Sequence, residues 1–155
     1  MSTAKISGKN IQREWHLIDA KDKTLGRLAV EVAKILRGKN KVNFVPYLDQ
    51  GDYVVVVNAA KVSVTGKKEN QKMYYRHSGY PGGLKSESLG KLRSRRPEEI
   101  LRHAIVGMLP KGSLGRGMIT KLYIFAGETH NMDRQLGIKK EKVAEKVEEQ
   151  AVASA

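Results

Sequence analysis

The spacing of apolar residues predicts strands and a helix in the first 60 residues. Apolar side chains recur at helical intervals over residues 25–36, with Thr24 placed as the N-cap and Gly38 just beyond the last turn. A short apolar run at 15–19 precedes this helix, and a run with four consecutive valines follows it at 53–58. Unbroken valines are typical of a strand covered on both faces, so the order strand, helix, strand predicts a parallel βαβ unit.

The remaining patterns predict a second firm helix, two further strands and an extended ribbon. The helix predicted at 97–108 begins with proline and two glutamates. Their carboxylates interact favourably with the positive, N-terminal end of the helix dipole. Short apolar segments at 62–65 and 122–126 predict strands, 73–77 predicts a ribbon, and 86–96 predicts a helical turn or two. The predicted fold class is therefore α/β: a three-layer α/β/α domain around a small, mainly parallel sheet of about four strands, with basic loops.

Composition divides the chain into an arm, a body and a tail. Residues 1–13 are polar and basic and are expected to form an N-terminal arm, and residues 14–138 are expected to fold as a single α/β domain. Residues 139–155 hold four basic and four acidic side chains, which predicts a polar, charge-neutral C-terminal tail that is helical or disordered.

The net charge predicts a polyanionic partner. The chain has 29 Lys and Arg against 16 Asp and Glu, a formal charge of +13. Residues 61–121 hold 14 basic and 4 acidic side chains, so most of the excess lies in the middle of the chain. Neutralising phosphates releases counterions, which makes nucleic acid the leading candidate and an anionic membrane surface a distant second.

Several classes of protein are excluded or disfavoured by composition. The chain has no cysteine, which excludes disulfides, thiolate metal sites and a cysteine nucleophile. No apolar run approaches the roughly 18 residues of a membrane span, and the first 15 residues lack the apolar core of a secretory signal. A cytoplasmic protein without a membrane partner is expected.

A glycine-rich, cationic segment joins the second predicted helix to the last strand. Residues 110–117 hold three glycines together with Lys111 and Arg116. Glycine lets backbone N–H groups approach an anion closely, and the two cations add charge, so the segment predicts a loop that binds phosphate. A flexible, solvated loop between two core elements is the alternative.

Cations, aromatic rings and glycines are interleaved between residues 67 and 121, a mixture typical of RNA recognition. Tyr74 and Tyr75 are candidates to stack on unpaired bases, although one ring can instead pack on the core. The arginine cluster at 93–96 is a candidate phosphate contact or, alternatively, a solvated helix end.

Signals for catalysis are weak. The four histidines are scattered along the chain, and no HExxH, GxSxG or P-loop pattern occurs. Asp49 and Asp52 around Gly51 can form a metal pair, but a turn with Asx hydrogen bonds explains them more simply. We therefore expect no enzyme activity, cofactor, metal or small-molecule substrate.

Five motifs in unbroken order resemble those of the bacterial large-subunit ribosomal protein thirteen family, from about Trp15 to His130. They are Thr24–Ala29, Gly51–Ala59, Lys61–Gly66, Tyr74–Gly79 and Gly107–Arg116. The resemblance implies an α/β/α domain bound to large-subunit ribosomal RNA, active early in subunit assembly and without catalysis. It departs from the family at Val106, where a basic residue is expected more often, and in the tail past Lys139, which looks longer than the family needs.

The resemblance carries over Arg27, Arg76, His77, Lys111 and Arg116 as RNA contacts, because they lie inside matching motifs. Charge and position add further candidates. The full set of predicted rRNA-binding residues is Lys23, Arg27, Arg37, Lys39, Lys41, Lys67, Lys68, Lys72, Tyr75, Arg76, His77, Lys85, Lys91, Arg93, Arg95, Arg96, Lys111, Arg116 and Lys121.

The expected partners are large-subunit ribosomal RNA and neighbouring ribosomal proteins, with the chain in the ribosome and not a homo-oligomer. Two alternatives stay open. An RNA-acting enzyme would hold a nucleotide in the glycine loop and a metal at Asp49 or Asp52. A non-specific nucleic-acid chaperone would bind unrelated RNAs with equal affinity.

Overall fold

A computed structural model describes residues 11–137, in which two groups of strands are surrounded by helices. The strands are β1 (Trp15–Asp19), β2 (Tyr53–Val57), β3 (Met73–His77), β4 (Leu84–Ser88) and β5 (Leu122–Ile124). The helices are α1 (Leu25–Arg37), α2 (Lys68–Gln71), α3 (Leu89–Arg95), α4 (Pro97–Met108), α5 (Ser113–Ile119) and α6 (Asp133–Leu136), with a 3₁₀ turn at Ala59–Lys61.

The valine strand β2 is the centre of a three-stranded parallel sheet in the order β1-β2-β5. Val54, Val55 and Val56 are 0% exposed, so both faces of this strand are covered, as four consecutive valines predict. The predicted βαβ unit is confirmed, because β1 and β2 pair in parallel with α1 between them in sequence.

Helix α1 packs its apolar stripe into the main core against the sheet and α4. Leu28, Val32 and Leu36 are almost fully buried. Gly38 adopts the left-handed conformation with φ 78° and closes the helix, as predicted. Thr24 occupies the predicted N-cap position, but its hydroxyl makes no capping hydrogen bond and is buried without a partner.

The prediction of a mainly parallel α/β domain is confirmed, but the parallel sheet has three strands among residues 11–137 rather than about four. The predicted strand at 62–65 is wrong, because this segment makes only a single bridge, between Ser63 and Thr24. Ser63 is therefore paired with the residue before α1 and does not extend the sheet.

Strands β3 and β4 form a separate antiparallel hairpin, which confirms the predicted ribbon at 73–77. Gly79 and Gly82 adopt positive φ angles of 94° and 73° in the turn between them. Strand β4 continues to Ser88, so the helical segment predicted for 86–96 begins only at Leu89. Tyr74 packs from the hairpin onto a small second core of α3 and α4 side chains.

The predicted loop at 110–117 is wrong for its second half, because residues 113–117 lie in α5. Gly115 explains the difference. A Cβ atom at this position would lie 1.8 Å from the Pro110 carbonyl oxygen. The glycine therefore allows α5 to pack directly on backbone, and this contact outweighs the low helix propensity of glycine.

The predicted tail at 139–155 and most of the predicted arm at 1–13 lie outside the described residues. Within residues 11–137, no helix combines the length and apolar character needed to cross a membrane.

Candidate nucleic-acid interface

The β-hairpin presents two chemically different faces. Alternation along β3 directs Met73, Tyr75 and His77 to one face and Tyr74 and Arg76 to the other. The first face is open: Tyr75 is 68% exposed and Met73 is 40% exposed. The second face turns toward α3 and α4, because the Tyr74 ring is half-buried there, with its centroid 5.5 Å from that of His103.

Two cations stand directly opposite each other on the inward-turned face. Arg76 pairs with Lys85 in the antiparallel register. Like charges in this position repel and destabilise a hairpin. Neither side chain has a carboxylate within 4.0 Å among residues 11–137, and both are exposed. Glu87 lies on the same face, opposite Tyr74, but it pairs with Arg95. The two cations therefore stand opposite each other without an ion pair among the described residues.

A groove of about 570 Å³ runs between the hairpin and helices α3 and α4; we call it the hairpin groove. Its lining includes four cations, two carboxylates and three aromatic residues: Arg76, Lys85, Lys91, Arg95, Glu87, Glu99, Tyr74, Tyr75 and His103. Burial raises the pKa of Tyr74, so its hydroxyl stays protonated to a higher pH than that of an exposed tyrosine. Cations beside rings provide both phosphate contacts and stacking platforms for bases.

The arginine cluster at 93–96 has partners within the chain. Arg93 donates to the Val62 carbonyl oxygen at 3.0 Å and pairs with Glu69 at 2.7 Å. Arg95 and Arg96 pair with Glu87 and Glu99 at 2.5 and 2.9 Å, but these two guanidinium groups are more than half exposed. The pairing of Arg96 also holds the pKa of Glu99 below its usual range.

Pairs as exposed as these contribute little to stability and can exchange partners when a phosphate approaches. Arg93 is less available than its neighbours, because it is only 28% exposed and bridges two separate segments.

Most of the other predicted contacts lie at the surface. Lys111 and Arg116 are exposed on either side of the start of α5, and Arg27 is exposed in the first turn of α1. Arg37 is half-buried, with its guanidinium 5.8 Å from the centroid of Phe44. The remaining exposed members of the predicted set are Lys23, Lys39, Lys67, Lys68, Lys72 and His77.

The prediction that Lys121 contacts RNA does not fit the structure, because Lys121 is only 3% exposed. Its ammonium group donates to Asp49 at 2.5 Å and to the carbonyl oxygens of Gly51 and Leu36 at 2.9 and 3.5 Å. Burial lowers the pKa of Lys121, and the Asp49 carboxylate opposes that shift. Lys121 links the start of β5 to residues 49–51 and to the end of α1, and it is not available at the surface.

Asp52 is the second carboxylate in the same region, before β2. It accepts from Lys41 at 2.5 Å, from the Glu14 backbone N–H at 3.0 Å, and lies 3.4 Å from His16. Burial acts to raise the pKa of Asp52, but the hydrogen bonds from Lys41 and Glu14 outweigh it, so the pKa is lowered. Lys41, a predicted RNA contact, is half-buried, and its ammonium group is already paired with Asp52.

We call Lys121, Asp49, Asp52, Lys41 and His16 the amino-end cluster, because it lies where the parallel strands begin. The two aspartates face separate lysines rather than each other. Among residues 11–137, no group of three or more acidic or histidine side chains is arranged to hold a metal ion.

The pairing of Arg76 with Lys85 was missed by the sequence-based prediction, although both residues were among its candidates. The available signal was the glycine-rich segment 78–83 between two extended runs, which is typical of a hairpin.

Comparisons with known proteins match the described fold over nearly its whole length. The family model described as Ribosomal protein L13 matches residues 13–131. Large ribosomal subunit protein uL13 of Trichormus variabilis is 58% identical over 127 residues, covering 82% of this chain and 84% of that protein. The uL13 proteins of Agathobacter rectalis and Methylococcus capsulatus are 56% and 53% identical, covering 84% and 87% of this chain and 92% and 95% of those proteins.

The match includes the parallel sheet, the hairpin and every motif that carried the resemblance noted from the sequence. The family of this chain is therefore established: it belongs to the ribosomal protein L13 family.

Proposed function

We propose that the protein is a structural component of the large ribosomal subunit that binds large-subunit ribosomal RNA. Family membership supports the place in the subunit, because the relatives are named as large-subunit proteins. The net charge of +13 supports a polyanionic partner. The hairpin groove, with its cations and rings, is the surface proposed to contact the RNA.

The observation that carries this proposal is the cross-strand pair of Arg76 and Lys85. The pair costs stability in the free protein and has no carboxylate to relieve it among the described residues. An RNA phosphate between the two side chains would turn this repulsion into two favourable contacts. Tyr75, which is 68% exposed, would then stack on an unpaired base.

The same proposal covers the remaining roles expected of the chain. It acts early in subunit assembly, has no catalytic activity, and works in the cytoplasm within the ribosome as a single copy beside neighbouring ribosomal proteins. Lys111 and Arg116 form a second phosphate contact at the start of α5. The backbone that carries these two cations is held in place, because Gly115 packs against the Pro110 carbonyl oxygen.

The test is to measure affinity for large-subunit and small-subunit ribosomal RNA over a range of salt concentrations. We expect one high-affinity site on large-subunit RNA and a steep fall in affinity with salt. Equal affinity for both RNAs would favour the nucleic-acid chaperone instead. Nucleotide or divalent-ion binding that raises the melting temperature would favour the enzyme.

A further inference from the structure

A second groove of about 680 Å³ lies on a different part of the surface, between the first turn of α1 and the last turns of α4. We call it the helix groove. Its floor includes the aliphatic side chains of Leu25, Val64 and Leu89. Met108 lies at its edge and is 43% exposed. Leu25 and Val64 are partly exposed in this floor, whereas Leu89 is 0% exposed and belongs to the second core beneath it.

The helix groove is positively charged at its rim. Lys68 and Lys72 line it, and neither has a carboxylate within 4.0 Å in the part of the chain that the structure describes. No aspartate or glutamate contributes to the lining. The first turn of α1 also contains no acidic residue, so the positive end of this helix is not compensated locally.

Two helical glycines line this groove, and no close contact within residues 11–137 requires either of them. Gly26 lies in the first turn of α1 and Gly107 in the last turn of α4. A Cβ atom at either position would meet nothing within 4 Å. Glycine within a helix is destabilising relative to alanine, and here no close packing within the described residues compensates for it. The open space suits the close approach of another molecule.

The chemistry of the lining distinguishes this groove from the hairpin groove. The rings of Tyr74 and His103 lie on the hairpin-groove side, whereas no aromatic residue among residues 11–137 lines the helix groove. An RNA base in the helix groove would contact aliphatic side chains but would have no aromatic ring on which to stack. Aliphatic side chains of a protein, by contrast, match the floor, and carboxylates next to them match Lys68 and Lys72.

We propose that the helix groove docks a segment of a neighbouring protein in the large subunit, one that combines aliphatic side chains with carboxylates. The segment places the aliphatic side chains on Leu25 and Val64 and the carboxylates beside Lys68 and Lys72. The sequence predicted both lysines as RNA contacts, and this inference assigns them to the protein partner instead. The inference rests on the proposed place of the chain in the subunit, because the partner is met there.

The test uses the full-length chain assembled into large subunits, with the photoreactive residue benzoylphenylalanine in place of Met108. A second chain carries the same residue in place of Met73, which is similarly exposed but lies on the hairpin. We expect the probe at 108 to cross-link a protein segment that contains aliphatic and acidic residues, identified by mass spectrometry. We expect the probe at 73 to cross-link ribosomal RNA.

The two probes separate this inference from the proposed function. Cross-linking of the probe at 108 to RNA, to a second copy, to another part of the same chain or to nothing would overturn the docking proposal. A basic protein segment would overturn it as well. RNA cross-linking at 73 would meanwhile leave the proposed function standing, and its absence would count against the hairpin as the RNA contact.

The second measurement compares the yield of the protein cross-link in variants that fill the helix groove or reverse its charge. Gly107→Phe should reduce the protein cross-link several-fold, because the ring would occupy the space that the partner needs. Gly117→Phe is the matched control, since Gly117 is also an exposed helical glycine with nothing within 4 Å but lies outside the groove. Lys72→Glu should also weaken the cross-link by repelling the carboxylates. An undiminished cross-link in both groove variants would contradict the proposal.

Discussion

The amino-end cluster and the hairpin groove both contain lysines and arginines, yet the two regions have opposite roles. In the amino-end cluster, Lys121 and Lys41 each lie 2.5 Å from a carboxylate that belongs to the same chain. In the hairpin groove, Arg76 and Lys85 face each other, and neither has a carboxylate within 4.0 Å among residues 11–137. Glu87 and Glu99 of the same groove pair with Arg95 and Arg96 instead. A basic residue is therefore informative about RNA only after its own partners within the fold are known.

Burial explains why the two regions differ. A buried ammonium group must be paired, because leaving it alone in the interior costs more than the fold can tolerate. An exposed cation keeps its water and can stay unpaired at modest cost. The first region thus contributes to stability, and the second retains charge that is available for a partner.

The largest expected effect comes from breaking the Lys121 pair. Asp49→Ala should lower the free energy of unfolding by about 3 kcal/mol, because it leaves a buried ammonium with only two carbonyl partners. Urea unfolding followed by circular dichroism measures this difference. Glu128→Ala is the control: it breaks the exposed pair with Lys61 and should cost less than about 1 kcal/mol.

The double variant Asp49→Ala with Lys121→Met should recover part of the loss, since no unpaired charge then remains in the interior. Equal destabilisation by Asp49→Ala and Glu128→Ala would show that burial does not determine how much an ion pair contributes to the free energy of unfolding.

An intermediate effect is expected for the unpaired cations of the hairpin. Arg76→Ala with Lys85→Ala should weaken binding to large-subunit RNA and lower the slope of log affinity against log salt by roughly 1.5. The free energy of unfolding should stay constant or rise, because the substitutions relieve a cross-strand repulsion. Fluorescence anisotropy across a salt series and urea unfolding measure the two quantities.

Arg95→Ala with Arg96→Ala is the matched pair for this comparison. Both arginines are more than half exposed, but each has a carboxylate partner to exchange before it can contact RNA. Their removal should change the salt slope less. A larger change than that of the hairpin pair would reverse the assignment of the two surfaces.

The smallest expected effect is a pH dependence from Asp52. Its pKa in the fold lies below the usual value of 3.8, so the unfolded chain binds a proton more readily. The stability that Asp52 contributes is therefore complete above about pH 3.8 and is lost as pH falls further. Asp52→Asn should flatten this acid limb in thermal unfolding, and an identical limb would exclude Asp52 as a source.

The parallel sheet and its helix could be predicted from sequence because their signals are local. A run of valines indicates a covered strand, and the spacing of α1 indicates an amphipathic helix. The candidate RNA residues on the hairpin were also predicted, since two tyrosines, an arginine and a histidine lie within five positions. Which of them lie opposite each other depended on the register, which the sequence left undetermined.

The predictions that were wrong concern contacts between distant segments. Lys121 was taken for a surface cation, but its partner Asp49 lies 72 residues earlier in the chain. Helix α5 was taken for a loop because glycine disfavours helices. What overrides this preference is the packing of Gly115 on Pro110, a tertiary contact that composition does not reveal.

The contact between Gly115 and Pro110 also bears on the entropy of association. A flexible segment would lose conformational entropy when it bound an anion, and this loss would weaken the affinity. Because Gly115 packs against the Pro110 backbone, the segment that carries Lys111 and Arg116 is anchored at both of these points. If Lys111 and Arg116 contact phosphate as proposed, the cost of binding would come mainly from ordering their side chains, and preorganised backbone would favour tighter binding than a mobile loop.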